Sequence, residues 1–508
     1  MEAELIRENI ITSYPSANLK LNIIAEGETI VPDTKNDISK ILFTESRCCI
    51  EKTEIQSGRV IFTGNAEFTV LYVPESGGII NSLTSKVPFN HIEECENITS
   101  EDNFILTAKP VHAECALLNS RKISLKTVIG VDFISYTDIS VPAVSKIRNS
   151  DMETKTAKTE ITRIVSSVRE SFTVSDFLEI PASAPSVDTL LLCRTKINDC
   201  SVKTVTGKAV VKGTLSVFQL YLSAEGNISH MLHDIPFTEI LDVPGLSEDS
   251  ICDIAFFVKD YSVNEDASDS SQRLIFTSDI CLSATVFETS YITVTEDAYI
   301  PGTEVKITCS EYKKSAIKER FSSPVTLKES VELPMEMPPI GQLYPISADI
   351  SRIESVKENG KLRIKGAVDV SIMYLSVDGK DINTFIHEIT FTEEKDYSCE
   401  NCDIIAKGEI LHSDYNFINQ TKLDIRCVLN LNFLFSENTE HFSSISSVDI
   451  GDNIPKTRPS IIIYFVKSGD SLWNIAKKYN TTVEKILAAN ALDKGEILNS
   501  GMRLLIPS

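Results

Sequence analysis

GRVIFTGNAEFTVLYV, residues 58–73, decides the fold, because two close copies of it occur later in the chain. The copies are GKAVVKGTLSVFQLYL at 207–222 and GKLRIKGAVDVSIMYL at 360–375. Each begins with a glycine, has a second glycine six residues later and carries a tyrosine fourteen residues after the first. The copies lie 149 and then 153 residues apart, and this period predicts three tandem domains of one kind.

Apolar residues alternate along each copy after its second glycine. In the first copy, Ala66, Phe68, Val70 and Tyr72 share one face, which is the period of a β-strand. Only Gln219 interrupts the matching series in the other copies. The opposite face is also partly apolar, so we expect burial on both sides. The sequence therefore predicts a mainly β fold, with three tandem all-β repeats that are sandwich-like or barrel-like.

Two further landmarks keep their places in all three copies. A proline preceded by an aliphatic residue lies 26 residues before the first glycine, and a phenylalanine lies in a later shared run. We expect the repeated glycines to mark turns or bulges, where a side chain would obstruct the backbone. The additional landmarks are Pro32, Pro181 and Pro334, and Phe89, Phe237 and Phe391.

Composition shifts mark the predicted domain boundaries. Residues 145–160, SKIRNSDMETKTAKTE, are polar and charged, which predicts a linker or an exposed helix. Residues 446–460 contain VDIGDNIPKTRPS, which has two prolines, a glycine and no strand alternation, and this predicts a linker that acts as a hinge. The predicted domains are β repeats at 1–147, 165–305 and 320–445, and a small domain at 461–508.

Charge and hydropathy restrict the partners. The 508 residues carry a formal net charge of −23, and a nucleic acid would be repelled by it. Residues 461–508 carry +2 and the remainder −25, which supports a boundary between them. No apolar run approaches the ~18 residues of a transmembrane helix. The N-terminal MEAELIRENI lacks a secretory signal, so we expect the chain in the cytoplasm.

The repeats show no catalytic constellation. The histidines are scattered, and the close pair His230 and His233 lacks the acidic residue and helical setting of a zinc protease motif. Cys399 and Cys402 form a C-x-x-C, but a zinc site needs a second ligand pair. Cysteines in apolar runs, such as Cys193, are expected to be small buried hydrophobes. We therefore expect no enzyme activity, no metal and no cofactor.

The pattern changes at Ile461, where IIIYFVK predicts a β-branched strand. Asp470 or Ser471 can cap a first helix, and Thr481 with Glu484 predicts a capping box for a second one. NSGMRLLIP supplies a glycine turn and a closing strand that must pair with the first. The predicted order is β-α-α-β.

This order resembles the LysM domain over residues 461–507. The motif residues are Tyr464, Val466, Gly469, Asp470, Ser471, Leu472, Ile475, Ala476 and Asn490, followed by GMRLLIP, in which Met502 replaces the usual glutamine. LysM domains commonly bind N-acetylglucosamine polymers, such as peptidoglycan or chitin-like glycans, in a groove between two loops. By position those loops are 468–472 and 490–498. The expected binding residues are Gly469, Asp470, Ser471, Leu472, Trp473, Lys485, Asn490, Leu492 and Leu498.

Trp473 is the only tryptophan and falls one position off the apolar stripe of its helix, so we expect it to be partly buried. It is either an edge residue that covers a small core or a binding hot spot. Lys477, Lys478 and Lys485 either surround such a site or form a solvated helix face.

The tandem repeats resemble SPOCS domains over about residues 25–440. With a terminal LysM domain, they are similar to the SipL-type spore coat morphogenetic proteins of clostridia, in the Firmicutes. The resemblance implies a non-enzymatic protein of the mother-cell cytoplasm that is recruited to the forespore surface and the spore coat. It implies binding to the coat's basement-layer morphogenetic ATPase, with self-association or further coat contacts through the repeats. It also implies that LysM, through Trp473, binds protein rather than glycan. The alternative is a peptidoglycan-binding protein that anchors the coat to cortex or cell wall.

Overall fold

The structure is a computed structural model. It describes residues 3–77, 80–148, 151–181, 184–248, 250–265, 273–358, 360–379, 381–397, 402–437, 441–454, 460–493 and 498–507. Strands make up most of these residues, and two short helices lie near the C-terminus. The predicted mainly β fold class is confirmed.

The first repeat is a two-sheet β sandwich. Its strands are β1 (Glu4–Ile30), β2 (Ile38–Gln56), β3 (Arg59–Pro74), β4 (Asn81–Glu94), β5 (Asn103–Asn119) and β6 (Lys122–Arg148). One antiparallel sheet has the order β1-β6-β5 and the other β2-β3-β4. The two sheets enclose an apolar core in which Phe62 lies edge-on to Phe133, and the predicted strand face at Phe68 is buried there.

The second repeat has the same topology. Its strands are β7 (Glu153–Glu179), β8 (Val187–Val205), β9 (Lys208–Ser223), β10 (Ile228–Asp242), β11 (Ile251–Glu265) and β12 (Arg273–Tyr299). They form the sheets β7-β12-β11 and β8-β9-β10. Gln219, the polar exception in the repeated pattern, is fully buried in this repeat.

The third repeat differs because its two long strands are each divided. Its strands are β13 (Thr303–Lys313), β14 (Ala316–Glu332), β15 (Ile340–Leu343), β16 (Ser347–Glu358), β17 (Lys361–Ser376), β18 (Ile382–Asp396), β19 (Asp403–Asn419), β20 (Lys422–Glu437) and β21 (His441–Asn453). β14-β20-β19 forms one sheet, and β17 pairs with β15, β16 and β18 in the other. β13 pairs with β21 as a separate ribbon.

The repeated glycines have two different roles. Gly58, the first glycine of its copy, has a φ of 81° in the two-residue loop between β2 and β3, a conformation that favours glycine. The second glycine lies opposite the shared phenylalanine on the neighbouring strand. A Cβ at Gly213 would stand 2.7 Å from Cζ of Phe237, so only glycine leaves room for the ring.

The repeated tyrosines tie each sandwich to the loop that follows the landmark proline. Each tyrosine is fully buried, and its hydroxyl donates a hydrogen bond to a backbone carbonyl 36 residues upstream. A buried hydroxyl needs such a partner. The bonds join Tyr72 to Asn36 (3.2 Å), Tyr221 to Pro185 (3.1 Å) and Tyr374 to Pro338 (2.7 Å).

The three repeats pack against one another and share cores. Ile105, Phe287 and Ile317, from the first, second and third repeats, meet in one buried apolar cluster. Leu71, Leu220 and Met373 meet in another, which also draws on all three repeats. Each repeat therefore contacts both of the others, and we call the three together the body.

Two predicted linker segments contain strand instead. The segment 145–160 holds the end of β6 and the start of β7, with 149–150 outside the described residues. These ends pair within ribbons that expose one face to water, which explains their polar composition. β21 likewise reaches Asn453, inside the predicted linker 446–460, while 455–459 lie outside the described residues. The domain boundaries themselves stay predictions.

Candidate functional site

The C-terminal domain has the predicted β-α-α-β order. Its elements are β22 (Ile461–Phe465), α1 (Leu472–Lys478), α2 (Val483–Asn490) and β23 (Arg503–Pro507). β22 pairs with β23 in an antiparallel register, and both helices cover one face of this small sheet. The other face is apolar and open, with Ile461, Ile463 and Phe465 exposed.

The helix caps follow the sequence prediction in one case and depart from it in the other. Ser471 caps α1, because its side chain accepts a hydrogen bond from the N–H of Asn474. The predicted capping box with Thr481 is wrong, since Thr482 accepts from the N–H of Lys485 and caps α2. Thr481 is instead fully buried, and its backbone carbonyl accepts a hydrogen bond from the body.

That hydrogen bond comes from Tyr299, the last residue of β12 in the second repeat. Its hydroxyl donates to the carbonyl of Thr481 at 2.9 Å, and its ring meets Trp473 edge-on with centroids 5.0 Å apart. Tyr299 is only 4% exposed and belongs to the apolar core of the C-terminal domain. Burial, reinforced by the negative charges of Glu153 and Asp297, raises the pKa of Tyr299. The small domain therefore completes its core with a side chain of the body.

Asp297 makes the polar half of the same contact. Its Oδ2 accepts a hydrogen bond from the Trp473 indole N–H at 2.7 Å, and its Oδ1 accepts one from the Lys477 ammonium at 2.6 Å. The side chains of Lys477 and Asp297 are 41% and 27% exposed, so this ion pair lies at the rim of the contact. We call Asp297 and Tyr299 the seat of the domain.

The seat belongs to the second repeat because of two residues at the C-terminal end of β12. β12 has a β-bulge between Thr295 and Asp297, and a bulge re-aims the side chain that follows it. β6 of the first repeat ends with a similar register shift, but there Lys146 and Arg148 take the corresponding places before the strand ends. Two cations would repel Lys477, so the first repeat offers no such seat.

The predicted binding residues of the first loop are used largely to shape it. Gly469 has a φ of 87°, and the Asp470 carboxylate accepts hydrogen bonds from the Tyr464 hydroxyl at 2.7 Å and the Lys467 N–H at 2.8 Å. The Lys467 N–H bond first, and then the Tyr464 hydroxyl, lower the pKa of Asp470. The same bond to Asp470 raises the pKa of Tyr464 to about 12. Ser471 is exposed beside this turn.

The predicted residues of the second loop divide between structure and surface. The Asn490 amide donates to the carbonyls of Ile486 and Leu505 and accepts from the Leu505 N–H at 2.7 Å, which ties α2 to β23. Lys485 is exposed on α2. Residues 494–497 of this loop lie outside the described residues. Leu472, Leu492 and Leu498 pack partly buried against the domain core.

Trp473 is partly buried, as predicted, but its polar partner was not foreseen. Asp297 lies 176 residues earlier in the chain. The one available signal was a break in the repeat, because the tip of β12 carries an acid and an aromatic where β6 carries two cations.

The described residues of the body bear on the predictions for metals, membrane spans and cysteines. No group of three metal-binding side chains gathers in them, and no helix of that part of the chain is long and apolar enough to cross a membrane. Cys193 is buried as a small hydrophobe, as expected. Cys402 is buried and disulfide-bonded, while Cys399 lies outside the described residues.

These features define a class of protein, in which tandem β sandwiches carry a small β-α-α-β binding module. Comparison with protein families finds the SPOCS domain of the SipL family over residues 37–118 and 186–265, and the LysM domain over 464–507. The resemblance to SipL-type proteins is thereby confirmed at the level of domain content. Comparison with curated proteins found no match.

The matched SPOCS segments cover the inner part of two sandwiches, from β2 to β5 and from β8 to β11. The third sandwich keeps the same sequence landmarks and lies outside the two matched segments. Neither matched domain is a catalytic type, so no enzyme family is indicated.

Proposed function

We propose that the chain is a non-enzymatic spore coat morphogenesis protein. It is made in the mother-cell cytoplasm, is recruited to the forespore surface and binds the morphogenetic ATPase of the coat basement layer through its LysM domain. The repeats add self-association or further coat contacts. The observation that carries the proposal is the domain content, because SPOCS domains with a LysM domain fit a sporulation coat protein.

Recognition of protein rather than glycan by LysM has support from the seat. Trp473 and Lys477 both bind the carboxylate of Asp297, so this helix face is complementary to a protein side chain. Tryptophan is enriched among the residues that anchor protein interfaces.

A second function, binding of peptidoglycan to anchor the coat to cortex or cell wall, has support from the LysM match. LysM domains commonly bind N-acetylglucosamine polymers, and in this chain Gly469 and Ser471 of the first groove loop are exposed. The seat leaves these loop residues open to solvent.

The experiment that separates the two uses the full-length chain, because Tyr299 is part of the LysM core. Purified coat ATPase on beads and insoluble peptidoglycan are offered in parallel. We expect capture by the ATPase, with a loss of about tenfold or more for Trp473→Ala and none for Leu232→Ala, an exposed residue of β10. Retention on peptidoglycan without capture by the ATPase would establish the second function and contradict the first.

A further inference from the structure

We propose that the α1 face with Trp473 and Lys477 recognises an extended segment that carries an aspartate and, two residues later, a tyrosine. The seat, Asp297 and Tyr299, occupies this face as an internal ligand, and a partner protein with such a segment displaces it. This inference rests on the proposed function, because it specifies which chemistry of a protein partner LysM selects.

The polar half of the face is matched to a carboxylate. The indole N–H and the ammonium each bind a different oxygen of Asp297, at 2.7 and 2.6 Å. Charge-assisted hydrogen bonds to two donors favour a carboxylate over a neutral hydroxyl or acetamide. The sugar chain of a chitin-like glycan has no carboxylate, so the charge of Lys477 would stay unpaired on it. A protein segment satisfies both donors.

The apolar half of the face is a socket for an aromatic ring. Tyr299 lies edge-on to Trp473 at 5.0 Å, and its hydroxyl reaches the carbonyl of Thr481 at the junction of the two helices. Residues two apart on a strand point to the same side, so Asp297 and Tyr299 reach the domain together. The recognised segment is therefore extended, with the order acid, any residue, aromatic.

The internal fit leaves room for a better ligand. Thr481, whose carbonyl accepts from Tyr299, is fully buried, yet its hydroxyl has no hydrogen-bond partner among the described residues. An unpaired buried hydroxyl costs free energy, which a partner that bonds to it would recover. Lys477, at 41% exposure, is the point where an incoming carboxylate can first compete.

Competition with a tethered segment has a measurable cost. A segment in the same chain acts at an effective concentration of about millimolar, so it weakens the apparent affinity of any external ligand. Substitution of Asp297 and Tyr299 should therefore raise the apparent affinity for an external ligand.

The test uses a labelled peptide of residues 291–301, YITVTEDAYIP, as the probe. It is titrated into the full-length wild type and into Asp297→Ala/Tyr299→Ala, with peptide anisotropy and the emission of Trp473, the only tryptophan, as readouts. We expect binding to the double variant to be at least about tenfold tighter than to the wild type. A control peptide with Asp297→Lys and Tyr299→Arg, the cations of the first repeat, should bind at least about tenfold more weakly.

Asp297→Asn in the full chain keeps Tyr299 in the domain core and guards against misfolding of the double variant. It should bind the peptide more tightly than the wild type, by a smaller factor. Equal binding of the peptide to all three chains, or equal binding of the two peptides, would overturn the proposal. The peptide assay contains no coat ATPase, so this failure would leave the proposed function standing. Conversely, if the chain failed to bind the coat ATPase, tighter binding of the peptide to the double variant would still support the recognition of the acid and aromatic segment.

Discussion

Gly213 and Phe237 face each other across neighbouring strands of the second repeat. A methyl group at Gly213 would overlap the ring, with Cβ only 2.7 Å from Cζ. We therefore expect Gly213→Ala to lower the free energy of unfolding by about 1–3 kcal/mol, measured by urea denaturation. Adding Phe237→Leu removes the ring and should recover part of this loss. Simple additivity of the two losses would contradict the contact.

The hydroxyl of Tyr374 gives a second prediction for a single residue. It is buried and donates to the Pro338 carbonyl at 2.7 Å. Tyr374→Phe leaves that carbonyl without its partner and should cost about 1 kcal/mol of unfolding free energy. Tyr291→Phe is the matched control, since Tyr291 is 73% exposed, and it should change stability by less than about 0.5 kcal/mol. Equal losses in the two variants would refute the anchoring role.

For single residues, the sequence predicts which strand faces are buried but not which side chains meet across strands. The alternation around Phe68 and Tyr72 is a local property of a strand, so the buried face could be predicted from it. The opposition of Gly213 and Phe237 could not be predicted, because it depends on the register in which β9 pairs with β10. Glycine and phenylalanine were recognised as landmarks, but their contact was not.

Among the elements, helix α2 shows how a local capping pattern and a contact with the body give different predictions for its N-cap. Thr482→Ala removes the N-cap and should destabilise the LysM domain by about 1 kcal/mol. Thr481→Val removes a buried hydroxyl without a partner among the described residues, so it should be neutral or stabilising. Denaturant unfolding followed by Trp473 emission reports on this domain selectively. A larger loss of unfolding free energy for Thr481→Val than for Thr482→Ala would instead support the capping box predicted at Thr481.

The reason for the wrong cap is a contact with the body. Thr481 and Glu484 have the spacing of a capping box, which is a purely local pattern. In the structure Tyr299 donates to the Thr481 carbonyl, and Thr481 is fully buried. Thr482, one residue later, is left to cap the helix. A partner so distant in sequence leaves no trace near the helix itself.

For the whole molecule, the contact between the first two repeats should be sensitive to acid. Arg47 of the first repeat donates to Asp260 of the second at 2.6 Å and lies 4.2 Å from the centroid of the Tyr261 ring. Burial alone would raise the pKa of Asp260. Hydrogen bonds from Arg47 and the Tyr261 N–H, with the charges of Arg47 and Lys86, hold that pKa below its ordinary value.

The folded-state pKa of Asp260 is thus lower than the unfolded one, so its stabilisation is present above the unfolded pKa. It is lost as the pH falls through the folded pKa. Urea midpoints of the wild type should therefore fall as the pH is lowered below about 4, the ordinary pKa of an aspartate, and less steeply in Asp260→Asn. Asp242→Asn, with a side chain 80% exposed, is the control and should follow the wild type. Identical pH slopes for the wild type and Asp260→Asn would exclude the contribution.

The packing of the repeats and the place of LysM lay beyond what the sequence could predict. A 150-residue period is the same whether the repeats are separate or share cores such as that of Ile105, Phe287 and Ile317. Polar strand ends at 145–160 resemble a linker, because half of each ribbon faces water. The sequence makes Trp473 a candidate because it falls one position off the apolar stripe of its helix, and only the structure pairs it with Asp297.

Titration of the purified coat ATPase with the full-length chain tests both whether the seat competes with the partner and whether LysM binds the partner. If the partner competes with Asp297 and Tyr299 for Trp473, Asp297→Ala/Tyr299→Ala should bind the ATPase more tightly than the wild type. Trp473→Ala should bind it at least about tenfold more weakly. An affinity for Trp473→Ala equal to that of the wild type, or weaker binding by the double variant, would contradict recognition of the partner through this face.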